Sequence, residues 1–514
     1  MSNTCSDAKL TALQNELSRL KLDDSLVFLN HVLGVVRGER NDSVLEPYLR
    51  SRKAQAPTFI VRFLAKQLLL HSSNIAVVLL DGSRYIQLQD MCMQLDDPII
   101  HDPNWKDADP NGFFERLLAQ QLPAQRRNML QKYGLALGLF RDSGQVEWPL
   151  VYNLRTDIET RLGMSLEHFM AMGHLCYALR RASMMGHLCN GTFDHSLLAE
   201  ANQQGIEFCV PEVWGKFLET TSCDRDSFRA VSNRDLYRVK DAQHAQFEFN
   251  LLNRYPIIDV GGGRFIAVDP DLIIERTTLG LFYDLFERDG PAFAEKFGHV
   301  FDQYVGQMLG SVCKPETLWS ASAWERRLTG KKPKNVGKIG DWVVLGKDFN
   351  VLIECKSLRP SLELTSYGSD ESVKATVSRI AQALEQLVRQ NTSIQQGMWQ
   401  NEGLPSRAAV GVIITYGRLE TINGPFFRNR IKQKLAENGS ELIPFVVLSL
   451  EELDMTIQLV EQGHPFDTVI SLLTKSEDTF VPLAMFEDDL KTKAISTFTH
   501  AKAKAFLDSM VSKR

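Results

Sequence analysis

The sequence contains no CxxC pair, no apolar run long enough to span a bilayer and no excess of positive charge. Each absence excludes something. The eight cysteines (Cys5, Cys92, Cys176, Cys189, Cys209, Cys223, Cys313 and Cys355) are scattered. That argues against a thiol-based zinc ribbon or redox dithiol and suits reduced thiols in a cytoplasmic setting. The stretch IAVVLL (75–80) is only strand-sized, and the polar start MSNTCSDAKL shows no signal-peptide core, so no membrane association is expected. A net charge of −5 rules out a generally basic nucleic-acid coat; any such binding must come from a local patch. GxxxxGK[ST], HExxH and GxSxG are all missing, so the chain shows no NTPase, zinc-protease or serine-hydrolase signature of its own. GGGR (261–264) lacks the GxGxxG frame and reads as a hairpin turn.

What is present is a globular composition, 44% hydrophobic and 24% charged over 514 residues, long enough for more than one core and for two to four domains. The first part reads as mostly α-helical. LTALQNELSRL (10–20) and FIVRFLAKQLLLH (59–71) repeat apolar residues at three and four, as helices burying one face do. QFEFNLLNRYPIIDVGGGRFIAV (246–268) changes to short β-rich runs around the GGG turn. From about residue 290 the alternation is regular: helix 291–310, strands 316–324, 341–345 and 350–356, helix 371–390, strand 408–416, helix 424–437, strand 443–450, then helices. No low-complexity linker marks a boundary, and it is placed near 285, dividing the chain into 1–285 and 286–514.

MGHLC occurs at 172–176 and again at 185–189, which offers His174, Cys176, His187 and Cys189 as a conceivable metal set. On one helix the offset rotates the second copy by about 220°, to a different face. The default reading is a chance echo in a packed helical region.

The stretch GDWVVLGKDFNVLIECKSLRP (340–360) carries charges on an apolar hairpin, where they are costly unless paired, hydrated or bound to a metal. If Lys347 and Asp348 are the two loop residues, Asp341 lies directly across from Glu354, with Cβ atoms about 5 Å apart. Lys356, two residues on, shares that face. A bulge would instead set Asp341 opposite Ile353 or Cys355. Two carboxylates at this distance are tolerated if one is protonated or a cation sits between them. A hard divalent ion such as Mg²⁺ suits oxygen ligands. Such an ion polarises a phosphodiester, and a nearby lysine orients the attacking water or stabilises developing charge.

Asp341 followed by Glu354-Cys355-Lys356 resembles the D…(D/E)xK signature of the PD-(D/E)XK nuclease superfamily, with Gly340 where that pattern has proline. The resemblance covers about residues 290–455, and no family is identified for 1–285. It implies an α/β fold: a restriction-endonuclease-like mixed sheet flanked by helices, behind a mostly α-helical N-terminal region. It also implies a metal-dependent nuclease, with Asp341, Glu354 and Lys356 catalytic and Mg²⁺ (or Mn²⁺) as cofactor. GHVFDQYV (298–305) resembles the family's G-x-x-F-E stretch with Asp302 in place of glutamate, so Asp302 is expected to join Asp341 and Glu354 as a metal ligand, directly or through water. Glu295, seven residues earlier, is the second choice, and a plain solvated carboxylate is the alternative.

On the helix that follows, Arg379, Gln382, Gln386 and Gln390 share a polar face. The resemblance makes Gln382 and Gln386 candidates for substrate contact or for bracing the site; an ordinary exposed face is the alternative. Arg326, Arg327, Lys331, Lys332, Lys334 and Lys338 form an acid-free loop leading into Asp341. Lys331, Lys332, Lys334 and Lys338 are therefore expected to contact backbone phosphates, against the bland reading of a solvated loop. Trp324 and Trp342 are expected in the core. The expected partner is nucleic acid, DNA ahead of RNA. Residues 1–285 are a regulatory or recognition region open to a protein trigger, as in bacterial anti-phage defence or DNA processing, and a homo-oligomer is compatible with this. The alternative is a catalytically silent nuclease fold serving as a nucleic-acid-binding or assembly module.

Overall fold

The computed structural model describes residues 3–39, 58–95, 128–146, 152–182, 210–234, 248–321, 340–360, 370–397, 403–475 and 495–511, apart from single positions within them, and a few isolated positions between. It is a mixed α/β structure.

In the N-terminal part, Leu26, Leu29 and Leu33 recur on the helix Leu22–Val36, and Val61, Leu64 and Leu68 on the helix Thr58–His71. Their apolar stripes join one buried cluster, the outcome a three-and-four spacing dictates. A small sheet orders the strands Thr192–Asp194, Arg264–Ile266, Ile257–Gly261 and Ser222–Asp224. Its hairpin turns at Gly261, Gly262 and Gly263, all at positive φ (85°, 63° and 73°), which residues with a Cβ rarely adopt.

A buried ion cluster ties these layers together. Asp269, 1% exposed, precedes the helix Asp271–Thr277. Its carboxylate accepts from Arg37 Nη1 at 2.9 Å and Nη2 at 3.1 Å, and from Arg62 Nε at 2.7 Å. Burial alone would raise its pKa; the charges of Arg62 and Arg37 outweigh this and hold the carboxyl well below the usual range.

The C-terminal elements follow in the order α1 (Leu281–Gly310), β1 (Leu318–Ser320), β2 (Trp342–Leu345), β3 (Asn350–Lys356), α2 (Asp370–Gln395), β4 (Ala409–Thr415), α3 (Pro425–Glu437), β5 (Phe445–Ser449) and α4 (Leu450–Glu461). The five strands form one sheet in the order β5-β4-β3-β2-β1. β1, β2 and β3 pair antiparallel, while β3, β4 and β5 pair parallel. The parallel strands read as continuous apolar runs because both faces are covered. Val351, Ile353, Val412, Ile414, Val446 and Leu448 face the core built on α1. Leu352, Ile413, Phe445 and Val447 face the core built on α2 and α3.

The boundary expected near 285 falls inside α1, five residues before its kink at Gly290 (φ 54°, ψ −129°). The cluster on the α1 face holds residues from both sides of it, among them Tyr133, Phe140 and Phe169 with Phe297, Phe301 and Phe506. Asp454 on α4 makes the same link through polar atoms, accepting from Gln131 Nε2 at 3.0 Å and from Thr499 Oγ1 at 2.5 Å.

Replacing Asp269 by Asn should destabilise the chain by about 3–5 kcal/mol, because Arg37 and Arg62 lose the buried charge they share, Arg37 still facing Asp271 at 3.3 Å. The depressed carboxyl contributes fully above the ordinary carboxylate pKa of about 4, and the contribution is lost as pH falls through its lower folded value. Urea unfolding of wild type and Asp269→Asn across pH 2 to 7 should therefore show a gap that narrows only in acid. A gap independent of pH would contradict this.

Candidate active site

The site is built on the β2–β3 hairpin. Gly346 N–H donates to Phe349 O at 3.1 Å, which leaves Lys347 and Asp348 as the loop. The ladder pairs Trp342 with Ile353, Val343 with Leu352, Val344 with Val351 and Leu345 with Asn350, without a shift. The ladder ends at Trp342–Ile353; continued one step, its register sets position 341 opposite Glu354.

Asp341 lies in a bend just before β2. Its Oδ2 accepts from Cys355 N–H at 2.7 Å, and its carbonyl accepts from Ala321 N–H at 2.8 Å. The glycine before it has a steric reason. A Cβ at Gly340 would sit 2.6 Å from Gln390 Oε1 and 2.7 Å from Leu387 Cδ2. Gly340 N–H also donates to Gln390 Oε1 at 3.1 Å, a bond that proline cannot make. Gln390, expected on a polar face, is buried by this contact.

Glu354 is 0% exposed. Lys356 Nζ is in close contact with its Oε1, so the buried carboxylate keeps a counter-charge on its own strand. Gln386 on α2 closes the other side. With its amide turned so that Nε2 faces the carboxylate, it donates to Glu354 Oε2 at 3.2 Å and also reaches Oε1. The opposite orientation gives Lys356 only a long acceptor at 3.4 Å and points the amide oxygen at a carboxylate, so the first is selected.

The other face of the hairpin carries a second group. Asp302 on α1 accepts from Trp342 Nε1 at 2.5 Å. The indole can lie against α1 because residue 306, one turn on, is glycine; a Cβ there would be 2.1 Å from Trp342 Cζ2. Asp302, Asp341 and Cys355 each offer a ligand atom within 4.8 Å of the others. The Cys355 thiol is pushed far up by burial, then by the carboxylates of Asp341, Asp302 and Glu354.

The structure thus brings Asp302 and Asp341 together and places Glu354, Lys356 and Gln386 in mutual contact. The Asp341 carboxylate, in the bend before β2, lies with Asp302 and Cys355; its expected place beside Glu354 and Lys356 is one step beyond the paired ladder. Cys355 was missed in the sequence. Period-two alternation from Glu354 puts it on the α1 face, and that alternation was the available signal. Glu295 is exposed on α1, and Gln382 is exposed one turn before Gln386. Lys331, Lys332, Lys334 and Lys338, with Arg326, Arg327 and Trp324, lie outside the described residues, as do His187 and Cys189. Their proposed partners His174 and Cys176 lie on the helix Leu166–Ala182, where His174 packs edge-on against Tyr133 at 5.6 Å.

Among the described residues, Asp302, Asp341 and Cys355 form a group that could hold a metal ion, while Glu354 projects to the opposite face of β3 and is held by Lys356 and Gln386. Among the described residues no helix is long and apolar enough to cross a membrane. No protein-family model matches the chain, and no curated protein matches it in sequence.

Gly306→Ala should lower stability by about 1–3 kcal/mol, the range for overpacking, because Trp342 cannot withdraw while its N–H holds Asp302. Chemical unfolding measures this, and wild-type stability in the variant would contradict the packing described.

Proposed function

We propose that this chain is a metal-dependent nuclease of the PD-(D/E)XK type, hydrolysing phosphodiester bonds in nucleic acid, DNA ahead of RNA. The observation that carries the reading is the hairpin, whose register, continued one step past Trp342–Ile353, pairs position 341 with Glu354 and puts Lys356 on the Glu354 face. The order helix, three strands, helix, strand and the change from antiparallel to parallel pairing at β3 support a restriction-endonuclease-like core.

In this reading Asp341 and Glu354 hold Mg²⁺ or Mn²⁺, and Asp302, which lies with Cys355 on the other face of β3, reaches the ion only through water. The ion, when bound, supplies Lewis-acid polarisation of the phosphodiester and a more acidic water. Lys356 donates a hydrogen bond that orients the attacking water and stabilises the charge gathering on the phosphate oxygens. Gln386 fixes the Glu354 carboxylate. The lysines of 326–338 contact backbone phosphates, and the helical N-terminal part offers the surface on which a trigger or partner acts.

One observation favours a second reading, a catalytically silent binding or assembly module: Glu354 is fully buried and both its oxygens are engaged by Lys356 and Gln386. In a nuclease this closed arrangement must open for the carboxylate to reach a metal.

The two readings are separated by incubating supercoiled plasmid, linear duplex, single-stranded DNA and RNA with the full chain and Mg²⁺ or Mn²⁺. Wild type should cut at least one substrate only with metal, and Glu354→Gln and Lys356→Ala should each lose about 10²-fold or more. Cutting that survives both substitutions, or no cutting of any substrate by folded wild type, would overturn the nuclease reading.

A further inference from the structure

We propose that Asp302, Asp341 and Cys355 form a binding site for a thiophilic divalent cation of the zinc class, and that its occupancy withdraws Asp341 from the hydrolytic set. The binding site stands on geometry alone; its inhibitory consequence rests on the nuclease reading.

Three donors from three elements converge here: one from α1, one from the bend before β2, one from β3. Their mutual separations, all within 4.8 Å, suit one ion held by three side chains and a water, the pattern of an open zinc site. Second, each carboxylate is oriented through one oxygen by a scaffold N–H: Asp302 by the Trp342 indole at 2.5 Å, Asp341 by the Cys355 amide at 2.7 Å. Outer donors of this kind orient metal-ligating carboxylates. The Gly306 gap that admits the indole keeps this arrangement in place.

The two donor sets differ in softness. Asp341 with Glu354 offers only oxygen, which suits Mg²⁺. Asp341 with Cys355 and Asp302 includes sulfur, which Mg²⁺ does not take and zinc-class ions do. Because Glu354 and Cys355 project to opposite faces of β3, one ion cannot use both sets, and Asp341 is the shared member. On coordination the Cys355 S–H bond breaks, the sulfur keeps the electron pair that forms the metal–sulfur bond, and the proton leaves to solvent.

The probe is Co²⁺, a spectroscopic substitute for Zn²⁺, added to the full chain under reducing conditions. Wild type should develop a near-ultraviolet thiolate-to-cobalt absorption that Zn²⁺ abolishes. Cys355→Ser should lose that absorption and Cys313→Ser should keep it. Asp302→Asn, which leaves the thiol in place, should weaken Co²⁺ binding at least tenfold. No absorption in wild type, or the same absorption in Cys355→Ser, overturns the proposal whatever the cleavage result. For the consequence, the Zn²⁺ concentration that halves Mg²⁺-dependent cutting should rise at least tenfold in Cys355→Ser relative to wild type; an unchanged value overturns the inhibitory role. A cobalt signal in a chain that cuts nothing would refute the nuclease reading and leave the binding site standing.

Discussion

The pairing of β2 with β3 is the constraint on which the site depends. A two-residue loop leaves no slack, so the register is set at Lys347–Asp348 and carried to the far end of the hairpin. A slip of one residue would turn Glu354 and Lys356 to the α1 face and bring Cys355 to the α2 face. The apolar residues between resist that slip, because Val351 and Ile353 would exchange cores with Leu352. Packing on two faces thus fixes the position of charges that packing alone would reject.

Two buried carboxylates show two solutions to the same cost. Asp269 is met by Arg37, just past the helix Leu22–Val36, and by Arg62 on the helix Thr58–His71, and the cluster joins layers distant in sequence. Glu354 is met by a lysine two residues away and by a glutamine from the covering helix. The first arrangement is closed by long-range folding. The second sits at a sheet end, where Lys356 is partly exposed and can exchange partners.

Much of the C-terminal architecture was legible because its signals are short-range. The strands VLIEC, AVGVIIT and FVVLS are apolar runs bounded by polar turns, and α2 and α3 show helical spacing, so their positions follow from periodicity. The β2–β3 register, from Leu345–Asn350 to Trp342–Ile353, followed from loop length. Less legible was whatever depends on two elements at once. The helix read as starting at 291 is the second of two helical stretches that meet at the kink at Gly290, the first beginning at Leu281. The core on the α1 face draws on residues 133–177 as well as 281–510, and no local pattern announces such a junction. Gln390 looked like a surface residue by its spacing, yet it accepts the Gly340 amide. Cys355 has Asp341 beside it from the hairpin itself, and Asp302 only through the packing of α1 across β3.

The central claim is that Asp341 is a ligand of a divalent cation, and calorimetric titration of the full chain with Mn²⁺, for wild type and Asp341→Asn, tests it most directly. The account predicts saturable binding in wild type, weakened at least tenfold by Asp341→Asn, with both proteins equally folded by circular dichroism. Equal binding by the two, or none by folded wild type, would contradict it.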